Sequence, residues 1–464
     1  MDYFIHLAPE IYQLLLIGSI FVVSILNKRS VRWIPWGALL GVAVCAASMG
    51  QSGVFFYKAY QVDALSQFFK LVTALGFLIV AANSKAPATV EDEKRLDWYL
   101  LLAISAFGLM LLASAVELIT MILCLEISSF SLYALVPLRA KSREAAEAGI
   151  KYILFGAAAS ALALLGYSFI LAGAHTSYLA LLKGPLTAFG TFGMALFLSV
   201  FFFKLALVPF HFWAPDVYTG AGNETASFIA TLPKLGAMVV LIRVVHTLSP
   251  GPGLTEVLAV FAAVSITYGN LAALVQTDVK RILGYSSIAH AGYILVGLVA
   301  GSKQGLAAAA FYSLAYMLMN LTCFWVVCRV APKGENVHLQ DLAGLHRRAP
   351  MLAFVLAVGA FALVGLPPTA GFTGKLFLLT SAWGQGFHWL VIVAAVNTAF
   401  SLFYYLNLVR YAYTAEEEGE EKALDRSVSS RYLALALASA VLLLGMLPAS
   451  VYSVAMEAAL KLVP

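Results

Sequence analysis

Long apolar runs of about twenty residues follow one another along almost the whole chain, separated by short polar segments. Continuous runs of that length predict transmembrane helices rather than the alternating pattern of a membrane barrel. The twelfth run is too long for one straight span and is predicted to break at Pro367–Pro368, and residues 450–464 are predicted to be a short tail. The pattern predicts fourteen helices, near residues 8–26, 33–50, 62–83, 96–114, 116–137, 146–173, 187–210, 223–246, 255–275, 282–300, 305–328, 351–380, 387–409 and 432–449.

Two parts of this pattern resemble each other. The segments FKLALVPFHFWAPD and FIATLPKLG, and later FALVGLPPTAGFTGKLFLL, each place a proline break and a lysine in long apolar runs. They indicate two five-helix units, helices 4–8 and 9–13, and the second must be inverted because five is odd. We therefore expect an all-α polytopic membrane protein with broken helices 7 and 12, a feature tolerated where backbone lines a polar cavity. Its predicted regions are the N-terminal helices 1–3 (1–95), the first repeat (96–250), the inverted second repeat (251–412), and an acidic loop with helix 14 (413–464).

Composition supports an integral membrane protein. Of 464 residues, 61% are hydrophobic and 11% charged, with a mean hydropathy of +0.88, whereas soluble domains have about 25% charged residues. The N-terminal MDYFIHLAPE has no basic segment, so we expect no cleaved signal peptide. The four cysteines form no CxxC pair, and no P-loop, GxGxxG or histidine metal spacing is present. We expect no metal or cofactor bound by this chain, and no nucleic acid, since the +5 net charge lies in short loops.

The distribution of basic residues predicts the orientation. With the N-terminus outside, the inner loops hold 19 Lys and Arg and the outer side holds 4. Such an asymmetry is the positive-inside signal, and with an even number of helices it places both termini outside. Six of the 29 basic residues then lie within predicted helices. Lys70 and Lys151 are predicted to be structural, and Arg243 is predicted to extend to the membrane surface.

Lys204, Lys234 and Lys375 are the candidate functional cations. Each lies in a long apolar run that also carries proline. A charged side chain at the centre of a membrane costs roughly 2.5–3.5 kcal/mol on insertion scales, and such groups usually mark an ion or proton path. Lys204 precedes Pro209 by five residues, Lys234 would link the two halves, and Lys375 follows the second break. A lysine that extends to the membrane surface is the alternative interpretation for Lys204.

Glu126, in the middle of helix 5, is the candidate carboxylate. Burial disfavours a charged lysine and a nearby carboxylate favours it, so Glu126 is predicted to pair with Lys204 and tune its proton affinity. A static ion pair between two helices is the alternative. Glu117 lies nine residues earlier, which is about 900° of helix, so the two carboxylates face opposite sides.

His290, in YSSIAHAGY, is the candidate relay between Lys234 and Lys375. A core histidine with satisfied hydrogen bonds is the alternative. His211 is predicted to anchor a loop, with proton uptake as the alternative. The acidic run at 416–421 is predicted to be a solvated loop, or else a contact for a partner subunit.

Five segments carry a resemblance to a known family: LEISSFSLYALVPL, EAGIKYILFGAAASALAL, FKLALVPFHFWAPDVYTGA, DVKRILGYSSIAHAGYILVG and LPPTAGFTGKLFLL. Over roughly residues 60–410 the chain resembles the antiporter-like membrane subunits of respiratory complex I, the bacterial NADH:quinone oxidoreductase. The chain ends before the long lateral helix that one such subunit carries, and it has Lys375 where another typically has glutamate. One departure is GNETASFIATLPKLG, where the family usually has a proline-rich turn; Glu224 is an additional carboxylate there.

The resemblance implies fourteen helices with two inverted repeats, and functional residues at Glu126, Lys204, Lys234 and Lys375. It implies proton translocation driven by NADH oxidation and quinone reduction in partner subunits, which would hold NADH, FMN, iron–sulfur clusters and quinone. The expected partners are the other membrane subunits of the complex, especially neighbouring antiporter-like subunits, within the lipid bilayer. The expected location is the bacterial cytoplasmic (inner) membrane.

Three alternatives remain open on the sequence. One is a cation/proton antiporter subunit, although lysines do not coordinate Na⁺ and only Glu126 and Glu224 could serve. Another is the equivalent subunit of a hydrogenase-type or other quinone-linked complex. The third is a scaffold in which the lysines have no role in transport.

Overall fold

The computed structural model describes residues 5–26, 30–83, 89–140, 142–182, 186–248, 252–414 and 428–462. The α-helices are α1 (Ala8–Ile25), α2 (Ile34–Ala47), α3 (Ala64–Asn83), α4 (Arg95–Ser114), α5 (Leu118–Leu135), α6 (Arg143–Ala174), α7 (Ala188–Leu205), α8 (Trp213–Gly220), α9 (Asn223–Leu248), α10 (Pro252–Leu274), α11 (Val279–Val299), α12 (Lys303–Val330), α13 (Leu345–Arg348), α14 (Pro350–Val364), α15 (Ala370–Gly384), α16 (His388–Tyr413), α17 (Val428–Met446) and α18 (Ala449–Leu460). The strands β1 (Gly53–Phe55) and β2 (Tyr60–Val62) form a short antiparallel hairpin.

Eleven helices in the described ranges are long and apolar enough to cross a membrane, and twelve if the bent pair α17–α18 is one span. Two shorter apolar helices, α2 and α14, accompany them. The predicted class, an all-helical polytopic membrane protein, is confirmed; the β1–β2 hairpin adds only three residues per strand.

Helical spans are interrupted at the two places where the proline residues led us to predict a break. Helix α7 ends at Leu205, Ala206 takes a left-handed conformation with φ 60°, and α8 starts only at Trp213. Helix α14 ends at Val364, Gly365 has φ +91°, and α15 starts at Ala370. Proline lacks the N–H that an internal helical turn needs. Each break therefore leaves helix-end carbonyls without intrahelical partners.

The C-terminal segment differs from the prediction. Residues 450–464 were expected to be a tail, but most of them form α18, which turns by 72° from α17. Helix α18 packs against α12 and α3, and the Tyr452 ring lies 4.3 Å from that of Phe377. Its alanines and apolar residues favour a helix whose one face is buried, and Pro448 sits at its start, where proline is tolerated.

The centre of the molecule consists of α9, α11 and α12. The spans of α9 and α12 are completely buried and that of α11 almost completely, while α1 and α6 are mostly exposed at the periphery. Polar side chains on the central helices are therefore shielded from lipid by the surrounding helices. Such positions are where a membrane protein can hold charged groups for transport.

Candidate functional site: a row of buried lysines

Lys204 lies in the last turn of α7 with only 1% of its surface exposed. Its Nζ has no hydrogen-bond partner among the described residues. The rings of Tyr133 and Tyr152 each have their centre 5.0 Å away, and that of Phe203 lies at 5.2 Å. Aromatic faces attract a cation, so this pocket tolerates the ammonium without fixing it by a hydrogen bond.

Glu126 is half-buried on α5 and does not contact Lys204 directly. Its Oε1 accepts a hydrogen bond of 2.5 Å from Ser160, and no ion pair joins it to Lys204 in the described part of the chain. The two groups interact electrostatically. Glu126 and Lys204 therefore form no direct ion pair, because Ser160 holds the carboxylate and the two tyrosine rings surround the ammonium.

Lys234 connects the first break to the second half of the chain. It lies on α9, 2% exposed, and its Nζ donates to the Leu205 carbonyl at 2.6 Å and to the Ser287 carbonyl of α11 at 3.3 Å. The Leu205 carbonyl belongs to the interrupted end of α7. A cation is favoured there because the C-terminal end of a helix carries partial negative charge.

Lys375 makes the equivalent contact at the second break. Its Nζ donates to the carbonyls of Val364 at 2.8 Å and Leu363 at 3.4 Å, the last residues of α14. The ring centre of Tyr293 lies 4.3 Å from the same atom. Gly365 is needed here, because its positive φ suits glycine and an added Cβ would lie 3.1 Å from the Lys375 stem.

His290 lies on α11 within a buried network of hydroxyl groups. Its Nδ1 is 2.8 Å from the Tyr312 hydroxyl and its Nε2 is 3.1 Å from the Tyr405 hydroxyl. Tyr405 also hydrogen-bonds Ser286, the neighbour of the residue that Lys234 contacts. Lys234 and Lys375 both act electrostatically on His290, and neither donates to it directly.

Glycine brings the tyrosine of this network close to the second lysine. Gly374 precedes Lys375, and a Cβ added there would lie 2.5 Å from the Tyr312 ring. His290 thus has a tyrosine hydroxyl group on each of its nitrogens, and one of these tyrosines packs against the residue before Lys375.

The sequence did not predict the burial of Lys280, one of the 19 basic residues that it places in the inner loops. Lys280 is completely buried at the start of α11. Its Nζ donates to the carbonyls of Thr219 at 3.1 Å and Ala221 at 2.8 Å, at the end of α8. Its position in DVKRIL, at a loop-to-helix boundary, gave no signal of burial.

The prediction for Arg243 is also wrong. Instead of extending to the surface, its guanidinium forms two hydrogen bonds with Asp63, at 2.8 and 2.9 Å, inside the protein. Lys70 forms a buried ion pair with Glu10 at 2.5 Å, and Lys151 pairs with Asp216 at the partly exposed end of α6.

Glu117 and His211 are two further candidates from the sequence. Glu117 precedes α5 and accepts hydrogen bonds from the backbone and hydroxyl of Thr120, which makes it a helix cap. His211 lies buried in the first break, its ring 4.2 Å from that of Phe212 and 4.5 Å from that of Tyr268. The acidic run 416–421 lies outside the described residues.

The described residues contain no group of three His, Cys, Asp or Glu side chains that could hold a metal ion. What they do contain is a buried series of amines, an imidazole, hydroxyls and a carboxylate, all groups that accept and donate protons. A helical bundle with such a series beside two interrupted helices is the site of an ion- or proton-translocating membrane protein.

Comparison with known proteins identifies the family. Residues 115–401 match the family described as "NADH:quinone oxidoreductase/Mrp antiporter, TM". The chain is 56% identical to "NADH-quinone oxidoreductase subunit N 2" of Solidesulfovibrio magneticus, over 99% of both chains. A chain of respiratory complex I from Thermus thermophilus has a TM-score of 0.85 at 32% identity, covering 96% of this chain and 98% of that one.

The fold alone is shared more widely. A chain of the Mrp complex from Dietzia sp. superposes with a TM-score of 0.89 at 21% identity, over 98% of this chain and 97% of that one. The chain belongs to the NADH:quinone oxidoreductase/Mrp antiporter family, with the antiporter-like membrane subunits N of NADH-quinone oxidoreductase.

Proposed function

We propose that protons cross this subunit from the inner to the outer side through Lys204, Lys234, His290 and Lys375, with Glu126 controlling the first lysine. The chain is a membrane proton-translocating subunit N of an NADH:quinone oxidoreductase complex. Its own residues hold and move protons, while the oxidation of NADH and the reduction of quinone belong to the complex.

The observation that carries the proposed route is the position of Lys234. Its ammonium touches the end of α7, one residue after Lys204, and also touches α11, which carries His290. Lys234 thus lies beside the end of the helix that carries Lys204, and beside Ser287, the neighbour of Ser286 in the Ser286–Tyr405–His290 network. Because Tyr312 continues that network towards Gly374 and Lys375, the series reaches the second break.

Helix-end contacts couple protonation to geometry in this proposal. The ammonium groups of Lys234 and Lys375 lie on carbonyls that carry the negative end of a helix dipole. Loss of a proton removes the favourable charge interaction and loosens the lysine from the break. The sites would therefore titrate as a coupled set rather than one residue at a time.

For the topology, we propose fourteen spans with both termini outside. Helices α7 and α8 together form the seventh span, α14 and α15 the twelfth, and α17 and α18 the fourteenth, while the shorter α2 is the second. The described Arg139, Arg281 and Arg348 then lie on the inner side, as the positive-inside rule requires. The regions are 1–95, the repeat 96–250, its inverted copy 251–412, and 413–464.

The redox cofactors belong to other chains in this proposal. NADH, FMN, iron–sulfur clusters and quinone would bind partner subunits, and the direct neighbours of this subunit would be other membrane subunits, especially antiporter-like ones. The complex would lie in the bacterial cytoplasmic (inner) membrane. The exposed apolar residues on α1, α6 and α16 fit contact with lipid or with those neighbours.

The test is Lys204→Ala in the intact complex, measured in inverted membrane vesicles. NADH-driven quinone reduction and proton uptake are recorded together, and assembly is checked by native electrophoresis. We expect assembly to persist and both rates to fall by roughly tenfold or more, since one proton-transfer group contributes that much or more. Lys151→Ala, at a partly exposed surface ion pair, is the control and should change neither rate. Unchanged rates in Lys204→Ala would refute the proposed route.

A further inference from the structure

Four polar residues of α9 lie on one face of that helix. They are Glu224, Ser227, Thr231 and Lys234, and their spacing of three, four and three residues keeps them within roughly 80° of helix rotation. All four are buried. The stripe runs about 15 Å along the helix, from its start at the inner end to Lys234 near mid-depth.

Glu224, at the inner end of this stripe, is a carboxylate without an assigned role. It is 8% exposed, and its Oε2 accepts no hydrogen bond from any described residue. Arg329, Lys280 and Arg139 all act electrostatically on it. Burial favours the neutral acid, whereas the three cations favour the carboxylate.

The start of α9 lies directly below a polar cleft. Asn223 donates to the Glu335 carbonyl at 3.2 Å, and a Cβ added to Gly222 would lie 2.5 Å from the Thr89 hydroxyl. Thr89 and Glu335 both line the cleft, together with Arg139, Arg143 and Lys333. These cations place the cleft on the inner side. Asn223 and Gly222, the two residues before Glu224, therefore contact residues that line this water-accessible cleft.

Polar groups of α12 contact the backbone of α9 beside the middle of the stripe. The Tyr316 hydroxyl donates to the Ala230 carbonyl at 3.1 Å and accepts from the Asn320 amide at 2.5 Å. The Oδ1 of Asn320 is buried and accepts no hydrogen bond from the described residues. A buried polar atom without a protein partner is normally satisfied by ordered water. Water bound there would lie beside the Asn320–Tyr316 pair, which contacts α9 at Ala230, the residue before Thr231.

We propose that Glu224 takes up protons from the inner side and delivers them to Lys234 along this stripe, as a second input that the transport cycle requires in addition to the input through Lys204. This inference rests on the proposed function of Lys234. A proton from inner-side water binds the Glu224 carboxylate, moves through water and the hydroxyls of Ser227 and Thr231, and binds the neutral Lys234 amine. Glu224 returns to the carboxylate and Lys234 becomes an ammonium, so charge and atoms balance.

The first test is Glu224→Gln in the assembled complex in inverted vesicles, with proton uptake and quinone reduction measured between pH 6 and 9. We expect proton uptake to fall by about tenfold and its pH profile to change shape, with Glu224→Asp restoring a large part of the rate. A structural carboxylate would instead leave the pH profile unchanged, and wild-type rates and profile in Glu224→Gln would refute the proposal.

A pair of matched variants tests the hydroxyl stripe. Thr231 and Thr322 are both buried, and each donates to the carbonyl four residues earlier, at 2.7 Å. Thr231→Val is expected to slow proton uptake several-fold, whereas Thr322→Val on α12 should leave it unchanged. Equal effects of both substitutions would indicate a packing role and overturn the proton stripe.

Lys204→Ala in parallel separates the two proposals. If Lys204→Ala is impaired and Glu224→Gln behaves as wild type, the second input fails and the proposed function stands. If Lys204→Ala retains activity that Glu224→Gln abolishes, Glu224 is the main input and the proposed role of Lys204 fails.

Discussion

Buried cations near the hairpin differ in their partners from the lysines beside the breaks. Arg243 and Lys70 each have a carboxylate in direct contact, Asp63 at 2.8 Å and Glu10 at 2.5 Å. Lys204, Lys234 and Lys375 contact aromatic rings or backbone carbonyls instead. The charges of Arg243 and Lys70 are thus balanced by adjacent carboxylates. The three lysines beside the breaks have no carboxylate in direct contact among the described residues.

The difference separates structural from transferable charge. Removing one member of a buried ion pair leaves the other charge without compensation, which costs about 3–5 kcal/mol. A change of protonation in such a pair would leave the partner charge uncompensated. A lysine on carbonyls or rings loses only a fraction of that stabilisation when it becomes neutral, so its charge can change during transport.

Asp63→Asn is the largest expected effect on stability. Asparagine keeps the shape but removes the charge that faces Arg243, so we expect about 3–5 kcal/mol of destabilisation. The measurement is the temperature at which the subunit is lost from the detergent-solubilised complex, followed by native electrophoresis. A melting temperature equal to that of wild type would mean that the Asp63–Arg243 pair contributes no more to stability than Lys204, Lys234 and Lys375 do.

Because of the Asp63–Arg243 pair, we expect the stability of the protein to depend on pH. Burial alone would raise the pKa of Asp63, but the Arg243 guanidinium and hydrogen bonds from Arg243 and Ser66 hold this pKa below its ordinary value. The contribution to stability is therefore complete above the unfolded-state pKa of about 3.9 and is lost as pH falls through the lower folded-state pKa. Wild type should show this acid-dependent loss, and Asp63→Asn should lack that part of it.

Lys375→Met is expected to have an intermediate effect on stability. Methionine keeps the apolar stem but leaves the carbonyls of Val364 and Leu363 without their donor, which we expect to cost about 1–3 kcal/mol. The same thermal assay measures this loss. Proton uptake in vesicles should fall as well, because the proposed last site before release is removed. A variant as stable as wild type would show that water can replace the ammonium at the second break.

The sequence predicted an all-helical membrane protein and the burial of Lys204, Lys234 and Lys375, because both follow from local hydropathy and proline positions. It did not predict what each cation contacts. Arg243 and Asp63 are 180 residues apart, and no local pattern records such a pairing. The burial of Lys280 was missed for the same reason, since the carbonyls that it contacts lie at the end of α8, distant in sequence.

Glu126 and Lys204 show most clearly that residue types alone do not predict side-chain contacts. Charge and depth predicted an interaction between the two groups, but the side chains that lie around them, Ser160 and two tyrosines, prevent direct contact. Residue types predict an interaction, whereas its distance depends on packing among three helices.

Lys204→Met is the smallest expected effect on stability and the sharpest test of the comparison. No hydrogen bond to the Lys204 Nζ exists among the described residues, so methionine leaves no acceptor unsatisfied. The lost contacts with the Tyr133 and Tyr152 rings are worth about 0.5–2 kcal/mol, and removing a buried charge offsets them. We therefore expect the thermal stability of the complex to change by less than about 1 kcal/mol, while NADH-driven proton uptake is lost. Destabilisation as large as that of Asp63→Asn would place Lys204 among the structural cations and remove the distinction between the two regions.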